Sequence, residues 1–123
     1  MPSMRELRTA FASAARTASP ADAVVDVPPR SQGALILIDV TDLAATPSVV
    51  FTINGRVTGT TTDYLLLASA AVTATGTIAL QIGPGLPVTA NLSASAILPD
   101  RIVIDPAHAD ADSITYSVQV IFV

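Results

Sequence analysis

From Ser113 to Val123 the chain reads SITYSVQVIFV, and this stretch restricts the possible folds more than any other. Ile114, Tyr116, Val118, Val120 and Phe122 hold one phase of a two-residue repeat. Ser113, Thr115, Ser117 and Gln119 hold the other, interrupted only by Ile121. Consecutive strand side chains point to opposite faces, so the segment predicts a strand with one apolar and one mostly polar face. A helical period would scatter the same residues around an axis. An apolar face of this length needs a second layer to cover it. The pattern runs to the final residue, so the chain is expected to end inside an element.

The remaining sequence supplies that layer. Ala34 to Val40, ALILIDV, is an unbroken apolar run, expected as a central strand buried on both faces. Ser48 to Asn54 alternates with Val49, Phe51 and Ile53 inward and meets Asn54-Gly55, a hairpin-turn dipeptide. Tyr64 to Val72 has helix-compatible residues, but its length and the following Thr75-Gly76 predict a strand and a hairpin turn. Thr77 to Ile82 alternates with Ile78, Leu80 and Ile82 inward, and Gly83-Pro84-Gly85 opens a long loop reaching Pro99. Arg101 to Asp105 is the next strand, and Pro106 to Asp112 a tight acidic loop. Ala23 to Val27 forms a short strand stopped by Pro28 and Pro29, neither of which can donate a ladder hydrogen bond.

The first sixteen residues admit two readings. Ser3 and Glu6 have capping-box spacing, with Met4, Leu7 and Phe11 at helical intervals. Alternatively an extended lead precedes a strand over Thr9 to Ala15, and the β character of everything downstream favours this. The expectation is an all-β, single-domain antiparallel β-sandwich, Ig-like or jelly-roll-like, of six to eight strands with an N-terminal extension. Residues 1–16 form an arm or first strand and residues 17–123 the sandwich.

Half the residues are apolar but only 4% aromatic, so the core must be built from Val, Ile, Leu and Ala. The absence of cysteine rules out disulfides and thiolate metal sites. Charged residues make up 13%, a low share that leaves either a Thr/Ser-rich polar surface or a surface covered by neighbours. All six basic residues are Arg, and Arg5, Arg8, Arg16 and Arg30 lie within the first thirty positions. The body beyond is acidic, which argues against nucleic acid, whose phosphates require clustered cations. No apolar run reaches the roughly 20 residues of a membrane-spanning helix. The opening MPSMRELRTAFASAAR lacks a sustained apolar segment, so no secretory signal is expected.

Chemistry-bearing residues are few. His108, Asp110 and Asp112 alternate in HADAD and could hold a divalent cation such as Ca²⁺, although the glycine and distal Glu of an EF-hand are missing. A surface turn whose carboxylates bond the backbone accounts for the same residues. With one His, one Glu and no Cys, any nucleophile–base set would have to use His108, and neither a catalytic nor a cofactor-binding site is expected. Gly83-Pro84-Gly85 lacks the downstream Gly-Lys-Ser/Thr of a phosphate loop. Asn91-Leu92-Ser93 matches a glycosylation acceptor that nothing else supports. Arg5, Arg8 and Arg16 are candidate interaction residues of an arm that pairs with carboxylates on a neighbour, or else belong to a solvated terminus.

Several strings together resemble a known family: ASAART (12–17), LILIDVTDLAATPSVVFTING (35–55), LLASAAVTATGT (66–77), IGPGL (82–86) and HADADSITYSV (108–118). They are similar to small β-sandwich structural proteins encoded among the virion genes of tailed bacteriophages and related prophages. The chain departs from that pattern in a shorter loop over Gly55 to Asp63 and an added lead before Arg8. The resemblance implies a compact β-sandwich with a virion role rather than an enzyme. The expected function is a capsid decoration (cement) protein on the capsid exterior, binding the major capsid protein and itself as trimers or dimers, without cofactor, nucleic acid or membrane. The alternatives are another virion part, in the tail, neck or baseplate, or a host-surface or carbohydrate-binding module.

Overall fold

A computed structural model describes residues 6–123. Its strands are β1 (Glu6–Arg16), β2 (Ala23–Asp26), β3 (Ala34–Leu43), β4 (Val49–Arg56), β5 (Asp63–Ala68), β6 (Gly76–Gly83), β7 (Ser93–Ser95), β8 (Arg101–His108) and β9 (Ile114–Phe122). They form a five-stranded sheet in the order β1-β9-β3-β6-β7 and a four-stranded sheet in the order β2-β8-β4-β5. Except for the parallel β6–β7 pair, neighbouring strands are antiparallel. The pairings nest: β1 with β9, β2 with β8, β3 with β6 and β4 with β5. A long hairpin folded back on itself in this way is a jelly roll, here with β7 added at one edge.

Alternation in the sequence explains the core. The inward residues of β9 (Ile114, Tyr116, Val118, Val120 and Phe122) are all fully buried. They meet Val49, Phe51 and Ile53 of β4 and Ile102 and Ile104 of β8, which are also fully buried. Ile38 sits opposite Val118 on one side and Ile78 on the other. Each such aliphatic side chain removed from water stabilises the fold by about 1.5–3 kcal/mol before entropy is counted.

Several expectations need correction. The segment over 34–40 is central in its sheet, but only one of its faces is buried, and Leu35 and Leu37 are half exposed on the other. Asn54-Gly55 is not a turn, because Gly55 lies buried in β4 between Ile102 and Tyr64. A Cβ there would fall 2.5 Å from the Tyr64 ring, so this glycine serves a close approach. The turn comes later: Thr60 N–H donates to Val57 O at 3.1 Å, and Gly59 takes a φ of +87°.

The strand over 64–72 and its successor do not make a hairpin either. β5 and β6 belong to different sheets. Beyond β5, Ser69 Oγ accepts the Phe51 N–H at 2.9 Å and Val72 bridges to Val49, so the chain stays against β4 as far as Val72 and passes to the other sheet before β6 begins at Gly76. The loop after β6 contains the short β7. β8 continues through Pro106 to His108, so these residues are strand rather than loop. β2 pairs only with Arg101 to Ile104, and beyond them one side of β8 has no partner strand, which is where a residue without an N–H can sit. β1 settles the reading of residues 6–16 as a strand.

Candidate functional site

β1 reaches its place beside β9 through two bulges, one between Thr9 and Phe11 and one between Phe11 and Ala14. A bulge breaks the ladder and leaves carbonyls without partners. Arg16 fills the second: its Nη1 donates to Tyr116 O (2.7 Å) and Ala14 O (3.1 Å), and its Nη2 to Ala12 O (2.7 Å). The guanidinium also lies 4.4 Å from the Tyr116 ring centre and 5.5 Å from that of Phe11. Arg16 is therefore engaged within its own chain rather than extended as an arm. Arg8 pairs with Glu6 at 2.6 Å, both side chains well exposed. Arg5 lies outside the described residues.

Beneath this plug the sequence-nominated histidine meets the core. His108 Nε2 and the Tyr116 hydroxyl are 3.0 Å apart, and the Phe51 ring packs edge-on against Tyr116 with centroids 5.0 Å apart. Burial pushes the Tyr116 hydroxyl up to about 12, against a smaller opposing effect of Arg16. Burial first, then Arg16, lowers His108 below its ordinary value, with Asp110 opposing. Both effects favour a neutral pair. Outside it, the His108 N–H donates to Ser19 Oγ at 2.8 Å, tying the end of β8 to the β1–β2 link.

The three residues of HADAD diverge. Asp110 Oδ1 accepts the Asp112 N–H at 3.1 Å, an Asx turn. Asp112 Oδ2 faces Thr46, accepting its N–H at 3.1 Å. Among the described residues, no group of three or more His, Asp or Glu side chains is arranged to hold a metal ion. Asp112 instead pins the β3–β4 and β8–β9 connections together, while Asp110 shapes its own turn.

Sequence reasoning missed the charged row across the four-stranded sheet. Asp26, Arg101, Arg56 and Asp63 are successive partners on β2, β8, β4 and β5. Arg56 binds Asp63 through two hydrogen bonds, of 2.6 and 3.0 Å, and Arg101 Nε lies 3.1 Å from Asp26. The Asp63 hydrogen bond raises Arg56 above its ordinary value. Four positions along β8 from Arg101, Asp105 is raised by burial and then by Asp22. No local motif announces this row, because its members are scattered over four strands and only register aligns them.

Two apolar surfaces remain. One is the outer face of the five-stranded sheet around Leu35 and Ile121. The other follows β5 and the β6–β8 connection, where Leu65, Val88, Leu92 and Ile97 are 47–80% exposed. These segments share one side of the sandwich, since β5 touches β7 and Asn91 Nδ2 donates to Ala68 O at 3.0 Å. Of the aromatic residues, only Tyr64 is substantially exposed.

Comparison with protein-family models, with characterised proteins and with solved structures returned no match.

Proposed function

We propose that this chain is a capsid decoration protein that docks on the outer lattice of a bacteriophage head and stabilises it. The observation that carries the reading is the apolar rim of Leu65, Val88, Leu92 and Ile97 on a charge-poor jelly roll. Large apolar side chains left in water along one side suit a surface that is covered in an assembly. The histidine and Arg16, which could have served chemistry or an arm, are used to lock β1 and β8 against the core. Jelly rolls host shell proteins among many unrelated roles, so the topology agrees by analogy only. The mechanism is mechanical: a rigid block bridging neighbouring capsid subunits adds contacts that internal pressure must break. Small interfaces repeated over a lattice, strengthened by self-association, bind with avidity.

The test adds purified protein to particles that lack it. Saturable binding at a simple ratio to the major capsid protein, weakened at least tenfold by Ile97→Asp with Val88→Asp, is expected. Absence of saturable binding refutes the reading. Quantitative mass spectrometry of intact particles then separates shell from tail: hundreds of copies fit decoration, whereas a few dozen move the chain to the tail, neck or baseplate.

A further inference from the structure

The outer face of the five-stranded sheet is organised by register. Leu7, Ile121 and Leu35 are successive partners in one row across β1, β9 and β3, and Thr9, Gln119, Leu37 and Ala79 make the next. Beside the first row opens a groove of about 530 Å³ lined by Leu35, Gln81, Pro84, Leu86, Ile121 and Val123, with no charged side chain among its described walls. Leu7 and Val123 at its margins are 56% and 50% exposed. The sequence of β3 is that of a strand covered on both faces, yet the described residues cover only one of them.

We propose that this face is the contact between two copies of this chain. Charge selects the occupant. Each copy carries a net charge of −4, so two copies repel unless they meet through a neutral surface. The opposite sheet presents the row of Asp26, Arg101, Arg56 and Asp63, whereas here the two leucine rows hold no charge among the described residues: the mutually neutralised Glu6–Arg8 pair flanks Leu7 at the edge, and Asp39 comes in the next row, two positions past Leu37 and beside Thr77. Gln119 and Gln81 flank the leucines, and an amide that both donates and accepts can pair with its own copy. Size agrees as well. The four long strands β1, β9, β3 and β6, about 4.8 Å apart with about nine or ten residues each and rising about 3.3 Å per residue, give a face of roughly 600 Å². Specific interfaces bury about 600–1,000 Å² per partner, and this face falls at the lower end of that range. The inference takes self-association from the decoration reading but assigns it a surface separate from the rim that would meet the capsid.

The experiment is sedimentation velocity of the purified chain over a range of concentrations with no capsid present, so that failure here leaves lattice binding to be judged separately. A dimer is expected. Leu35→Thr combined with Ile121→Thr, which puts a strand-favouring β-branched residue at both positions, should weaken it at least tenfold. Gln119→Glu, a change outside the core, should do the same by setting carboxylates on a neutral face. Val24→Thr with Val57→Thr, at the opposite sheet and outside the rim, should leave it unchanged. A wild-type monomer at every concentration overturns the inference, as does an oligomer that resists the Gln119→Glu change or responds equally to the opposite-sheet pair.

Discussion

Replacing Tyr116 by Phe isolates one oxygen at the meeting point of β1, β8 and β9. The ring contacts with Phe51, Phe11 and Arg16 remain, and only the hydroxyl opposite His108 Nε2 is lost. Near neutrality the change should cost about 1 kcal/mol, the worth of one hydrogen bond whose other partner can still reach water. The alkaline limb is more informative. The unfolded phenol loses its proton near 10, whereas in the fold it holds it up to about 12. Between these values the native state binds more protons than the unfolded state, so stability is intact below pH 10 and falls as the pH rises. Two pH units at 1.36 kcal/mol each amount to about 2.7 kcal/mol lost across the window. The Tyr116→Phe variant lacks that loss, so its stability curve should cross the wild-type curve near pH ~11, where roughly half the loss has accumulated. Urea unfolding at successive pH values, followed by far-ultraviolet circular dichroism in a Tyr64→Phe background, gives both curves, and phenolate absorbance reports the titration itself. Parallel curves that never cross, or a folded-state phenolate appearing near pH 10, would refute the reasoning.

Two further outcomes follow from neighbouring contacts. Arg16→Ala strips the three carbonyls of the second bulge of their donors and should cost about 2 kcal/mol. Arg16→Lys should recover less than half of this, because an ammonium lacks the planar fork; chemical denaturation measures both, and hydrogen exchange should show faster opening of β1 amides than of β3 amides. Asp105→Asn should stabilise the fold by about 0.5 kcal/mol at pH 7, since the native carboxylate is held ionised beside Asp22 despite burial. That gain should vanish below the ordinary carboxyl value of 3.8, where the wild-type group is neutral in both states; a thermal melt series from pH 3 to 7 checks it.

The alternation in Ile114 to Phe122 fixed a strand, its buried face and the need for a second sheet, because a period of two is a property of the backbone itself. The same logic reached β4 and the inward residues of β6, whereas the unbroken apolar run of β3 located a strand but overstated its burial, since only one of its faces is covered. It also placed Tyr116 in the core, and the β character of the chain downstream favoured the strand over Thr9 to Ala15 that lies within β1. Where two readings shared the same residues, only tertiary structure chose. Asn54-Gly55 is a turn by local chemistry and a strand by packing, because the Tyr64 ring needs the space that a glycine leaves. Pro106 looks like a strand terminator until β2 is seen to stop short of it. HADAD has the composition of a cation loop, yet β8 carries His108 inward to Tyr116 while Asp112 turns to Thr46. Arg16 has the look of a free arm residue and becomes the filling of a bulge, since neither bulge nor register is written in any one segment. The row from Asp26 to Asp63 and the neutral face around Leu35 belong to no stretch of sequence. They exist because strands distant along the chain are hydrogen-bonded in one register, so pairing rather than residue choice decides which side chains share a surface.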